Sequence, residues 1–154
     1  MRRSPARLSP MHKVALAIRV WSAFALVVVQ LRRRGLEETV RHLGAFEAGR
    51  RRPQHPPARL SRAVSRSLRI GRWQPRCLIQ SLVLYRLVCE QGEPVQVVIG
   101  LPESAEETDA HAWVELRGRD IGPAPGRFGH RELVRYPSAA RPDSVRESQN
   151  IPSR

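Results

Sequence analysis

Pro75-Arg76-Cys77-Leu78-Ile79-Gln80-Ser81-Leu82 and Ala110-His111-Ala112-Trp113-Val114-Glu115 are the two blocks whose reading decides the fold. The first opens a helix, with Pro75 at or near the first helical position, where a missing N–H costs nothing. The second alternates small apolar and polar-aromatic residues, as a strand does, and places His111, Trp113 and Glu115 on one face. A thiol in the first turn of a helix sits among unpaired N–H groups at the positive end of the dipole, and Arg76 adds a cation beside it. Cys77 and His111 are therefore candidates for the two halves of a thiolate–imidazolium pair, the other reading being a small core cysteine and a structural histidine. The Cys77 backbone N–H, with Gln74 or Trp73 as a second donor, is the candidate oxyanion stabiliser.

Working outward, the apolar period predicts helices over 14–31, 36–48 and 58–70, and a fourth from Pro75 to about Glu90. Strands follow at 95–101 and 110–116, with Arg117-Gly118 as a hairpin turn into Arg119-Asp120-Ile121 and a last short element over 130–136. Helices first and strands after them make an α+β chain. Its expected parts are a disordered basic arm (1–13), an N-terminal helical extension and linker (14–56), the domain carrying the chemistry (57–136) and a disordered tail (137–154). The run 14–31 is the most apolar, with Arg19 inside it and Arg32-Arg33-Arg34 closing it. It reads first as a packed helix and second as a membrane-surface helix, since basic flanks suit anionic lipid. A membrane span or a signal peptide ranks third, because Arg19 interrupts the run and no small-residue cleavage site follows it.

Charge divides the chain. Up to Arg76 there are 18 Lys and Arg against three acids, and from Cys77 onward nine against eleven, giving a net charge of +13. A basic half of this kind attracts nucleic acid, anionic lipid or acidic peptide. No helix-turn-helix, zinc-finger or RNP pattern accompanies it, so no nucleic-acid partner is expected. Cys77 and Cys89 on one helix stand about 18 Å apart at ~1.5 Å per residue. That is beyond the roughly 7 Å between Cα atoms that a disulfide allows. Two free thiols fit a reducing compartment, hence a cytoplasmic protein with peripheral membrane contact through its N-terminal helix as an option.

The stretch from Arg76 to Leu87, the strand from Val95 to Gly100 and the block Ala110 to Leu116 together resemble the transglutaminase-like cysteine peptidases of lasso-peptide biosynthesis, the microcin-processing B proteins, in the stand-alone peptidase half of the split kind. The resemblance covers most of 77–136, and the apolar N-terminal helix is similar too. It implies a papain-like, transglutaminase-like core in which a Cys-bearing helix packs on a small antiparallel sheet. It also implies a Cys-His-Asp triad that cuts the leader from a ribosomally made precursor peptide, with no cofactor and no metal. Cys77 matches the nucleophile and His111 the general base. A small leader-binding protein delivers the substrate in such systems, and a lasso cyclase acts alongside.

For the third member the sequence offers Asp120. Paired across the turn with Glu115, it shares the His111 face but lies four residues further along, roughly 13 Å at ~3.3 Å per residue. His111 itself falls opposite Ala124, and where the family carries its acid this chain has Gly122-Pro123. A bulge that shortens the gap, or a backbone carbonyl that orients the imidazole, are the alternatives. Trp113 and Glu115 are expected to line the site. Two other functions keep the same residues: acyl transfer to an amine, as transglutaminases perform, and a non-catalytic basic scaffold or membrane-surface subunit.

Overall fold

In the computed structural model the residues described are 10–45, 55–70, 76–104, 109–124 and 126–137. Four helices precede four strands: α1 (Pro10–Arg33), α2 (Leu36–Gly44), α3 (Pro57–Ser67), α4 (Cys77–Cys89), β1 (Val95–Pro102), β2 (His111–Leu116), β3 (Arg119–Gly122) and β4 (His130–Pro137). This is the expected α+β order. Pro10 to Lys13, expected to be disordered, belong to α1, with proline at its first position. Residues 1–9, most of the 49–56 linker and the tail beyond Pro137 lie outside the described residues.

α4 is the axis of the molecule. From Gln80 to Cys89 every residue is buried, which is what a helix apolar on all sides requires. α1, α2 and α3 pack around it on one side, and β1 and β2 on the other. One core cluster runs from Leu16, Val20 and Val27 of α1 through Leu43, Leu60 and Val64 to Leu82, Leu84, Val97 and Val114. The N-terminal helices thus share the core of the Cys-bearing helix.

The polar groups on α4 are matched to partners. Arg86 donates to the Leu43 carbonyl at 3.2 Å and pairs with Glu90 at 3.2 Å, and Glu90 also holds Arg19 of α1 at 3.0 Å. A charge buried this deeply is tolerable only when paired and hydrogen-bonded. The expected apolar stripe Leu78, Leu82, Tyr85, Val88 and Cys89 is therefore too narrow, because the helix is enclosed on every side.

The sheet is antiparallel with strand order β3-β2-β1-β4. Its helix-facing side carries Val97, Val114 and Leu116. The expected turn is present: Arg117 and Gly118 both have positive φ, 52° and 75°, as a two-residue hairpin loop with right-handed twist requires. Glu115 pairs with Asp120 as expected, but a bulge follows and the next pair is Val114 with Gly122. The extra residue lies on the β3 side, so the register expected to set His111 opposite Ala124 does not continue.

Candidate active site

Cys77 is the first residue of α4, with Arg76 as its N-cap. Its own N–H belongs to the first turn, which has no acceptor within the helix. The thiol is partly accessible, and Sγ lies 3.9 Å from the carbonyl of Ala110, one residue before His111. Four residues on, Ser81 Oγ donates to the Ala112 carbonyl at 2.7 Å in a fully buried contact. α4 is thus fastened to β2 on both sides of His111, and Cys77 and His111 occupy the same end of the sheet. Gln74 and Trp73, the other oxyanion candidates, lie outside the described residues.

His111 is 7% exposed. Its Nε2 meets the Pro123 carbonyl at 3.4 Å. If Nε2 carries the proton and donates there, Nδ1 is left free to accept one from a thiol. Burial holds the imidazole below its ordinary value of 6.5, and His130 pushes it the same way, whereas the Pro123 carbonyl and the charge of Asp120 push it back up. The cation is therefore costly in this pocket, and His111 is better suited to accept a proton during reaction than to rest as imidazolium.

Asp120 does not hydrogen-bond the imidazole. Its Oδ1 accepts from the Gly122 N–H at 2.7 Å and its Oδ2 from the Arg127 N–H at 2.6 Å. The carboxylate folds the 122–127 loop around itself, and Gly126 provides the room, because a Cβ there would overlap the carboxylate. A carbonyl from the loop that Asp120 shapes fills the orienting position instead.

Trp113 and Glu115 share the His111 face, as alternation predicts. The indole stacks on the imidazole, with centroids 6.3 Å apart and planes 15° from parallel, and its N–H donates to Glu115 Oε1 at 3.0 Å. Glu115 Oε2 pairs with Arg135 of β4 at 2.8 Å. Burial would raise the Glu115 carboxyl, but the Trp113 and Arg135 hydrogen bonds and the arginine charge hold it below its ordinary 4.5. This chain of contacts fixes the indole, and the indole backs the imidazole. Gly100, opposite His111 on β1, leaves the space the indole fills, since a Cβ there would stand 2.8 Å from the ring.

His130 and Arg135 escaped the sequence reading. His130 opens β4, its ring 5.1 Å from that of His111 and 6.4 Å from that of Trp113. The two stand five residues apart, so strict alternation would set them on opposite faces; the register shift between Ile99 and Gly100 in the β1–β4 pairing brings both to the His111 face. Cys89 behaves as expected of a structural cysteine: burial pushes its thiol up to about 12, so it is inert. Among the described residues no group of three or more His, Cys, Asp or Glu could hold a metal ion.

Residues 13–130 match the family model of the transglutaminase-like superfamily, a span that takes in Cys77, His111 and Asp120. No curated protein matches the chain, and no solved structure does. The chain belongs to the transglutaminase-like superfamily, which includes cysteine peptidases and transglutaminases.

Proposed function

We propose that this transglutaminase-like protein is a cysteine peptidase that removes the leader from a ribosomally made precursor peptide during lasso-peptide maturation. The observation that carries the reading is the meeting of the α4 N-terminus with the start of β2, which sets the Cys77 thiol 3.9 Å from the residue before His111. The family match supports cysteine-based acyl chemistry. The narrower assignment rests on the likeness of the Cys77 and His111 blocks to the lasso leader peptidases.

In this reading His111 takes the Cys77 proton as Sγ attacks the scissile carbonyl. It then returns that proton to the departing amine as the C–N bond breaks and a thioester forms. A water gives its proton to His111, adds to the thioester, and the C–S bond breaks to release the leader acid and the thiol. The N–H groups of the first turn of α4 stabilise the oxyanion. Asp120 supports the imidazole from a distance, through its charge and through the loop that presents the Pro123 carbonyl. The partners are the precursor, a small leader-binding protein and a cyclase that takes the freed core. The free thiols suit a cytoplasmic setting.

The test is leader release by the purified protein with leader-binding protein and precursor. The native protein should cut, and Cys77→Ala should leave the precursor intact; equal cleavage by both sinks the proposal. Product mass separates hydrolysis from transfer to an amine.

A further inference from the structure

α1 is 24 residues long and apolar enough to cross a membrane by length and composition, yet only 22% of its most apolar window is buried. Leu16, Val20, Ala23 and Val27 face the core. The opposite side is exposed: Met11 81%, Val14 60%, Ile18 60%, Trp21 36% and Val29 44%. Met11, Ile18 and Ala25 recur every seven residues, with Val14 and Trp21 between them and Val29 one turn beyond, so they form one stripe along the helix. At ~1.5 Å per residue the helix is about 36 Å long. Arg32 falls seven residues after Ala25 and Arg33 beside it, so the stripe ends in two exposed arginines on its own face.

We propose that this face of α1 docks the protein, in plane, on an anionic lipid surface. A long apolar stripe closed by cations, with no acid beside it, suits an anionic bilayer better than a protein partner. α1 contains no acidic residue, its exposed face ends in two cations, and the whole chain carries +13. A helix of this kind lies at the headgroup boundary with its apolar face down and its arginines reaching the phosphates. Spanning is incompatible with the fold. It would strip Val20 and Val27, both 0% exposed, from the core and draw the Arg19–Glu90 pair, 3.0 Å apart, into hydrocarbon. Self-coverage has no source in the tail, because 138–154 is Arg-, Ser- and Pro-rich with Val145 and Ile151 its only branched apolar residues.

The test is flotation of the full chain with vesicles of phosphatidylglycerol and phosphatidylcholine, against phosphatidylcholine alone. The native protein should float with the anionic vesicles and lose binding as salt rises. Ile18→Glu/Val29→Glu should reduce partitioning at least tenfold, roughly, with unchanged far-UV dichroism and unfolding midpoint. Arg32→Gln/Arg33→Gln removes two surface cations and no core contact, and should cost about fivefold for each arginine, at about 1 kcal/mol apiece. Equal flotation of the folded glutamate variant, or no flotation of the native protein, overturns the proposal. So does a native oligomer that ignores vesicles and that the glutamates dissociate, which would assign the face to a second copy.

Discussion

Gly100→Ala puts the smallest substitution at the tightest point behind the site. Gly100 lies on β1 opposite His111, where the β1–β4 register shifts. The new methyl would stand 2.6 Å from the Arg131 carbonyl oxygen and 2.8 and 2.9 Å from Trp113 Cη2 and Cζ3. Carbon atoms rest about 3.5–4.0 Å apart, so the indole must retreat by roughly 0.7–1 Å. The carbonyl is backbone and has less freedom to yield. Trp113 is 1% exposed and tied to Glu115 at 3.0 Å, so the retreat strains that bond and shifts the stacked imidazole. Overpacking of this kind costs about 1–3 kcal/mol. A displacement near 1 Å at a catalytic group costs roughly a hundredfold in rate. Urea unfolding and leader-cleavage rate, measured on the same preparation, read the two effects. Gly35→Ala is the control, because nothing stands within 4 Å of its new Cβ. If Gly100→Ala matches the native protein in both stability and rate, the indole does not brace the imidazole.

Three further outcomes follow from the contacts around His111. Asp120→Ala frees the Gly122 and Arg127 amides, and should lower cleavage at least tenfold, roughly, through the loop that carries Pro123. Because the Asp120 charge raises the His111 value, the acid limb of the rate profile should also move to lower pH. His130→Gln removes a neighbour that lowers the His111 value, so the acid limb, below 6.5 in the native protein, should move up. A limb that stays put would mean the His130 ring does not act on His111. Glu115→Gln should cost about 1–1.5 kcal/mol in urea unfolding at neutral pH, since it removes the buried one of the two carboxylates on Arg135 while the pair with Glu132, 2.6 Å away, remains. The folded Glu115 value lies below the unfolded 4.5, so its stabilisation is complete above 4.5 and disappears as pH falls through the folded value. The gap between native and variant should close on acidification, and a constant gap would contradict the assignment.

The elements of this fold were legible in sequence because each carries its own local signal. The 3.6-residue period gave α1 to α4, alternation gave β1 and β2, and Arg117-Gly118 gave the turn between β2 and β3. The placement of Cys77 at a helix start and of His111, Trp113 and Glu115 on one strand face needed nothing beyond those periods. What stayed hidden depends on pairing between distant segments. That β4 lies beside β1 is a matter of strand order, and that His130 and Arg135 both reach the His111 face depends on the register shift within that pairing. The bulge that follows Glu115 in its pairing with β3 is equally silent in the residues, and it decides that a Pro123 carbonyl meets the imidazole. Enclosure of α4 on all sides came from three helices and a sheet converging, so a single apolar stripe understated it.

The account turns on Cys77 and His111 acting as one unit, and the reactivity of the thiol reads that without any substrate. Alkylation of the folded protein by iodoacetamide reports Cys77 alone, because Cys89 is 5% exposed and its thiol is pushed up to about 12. Compared at neutral pH, His111→Asn should slow alkylation of Cys77 by at least about tenfold while leaving the unfolding midpoint in place. Equal rates in the two folded proteins would contradict the pairing, and with it the peptidase.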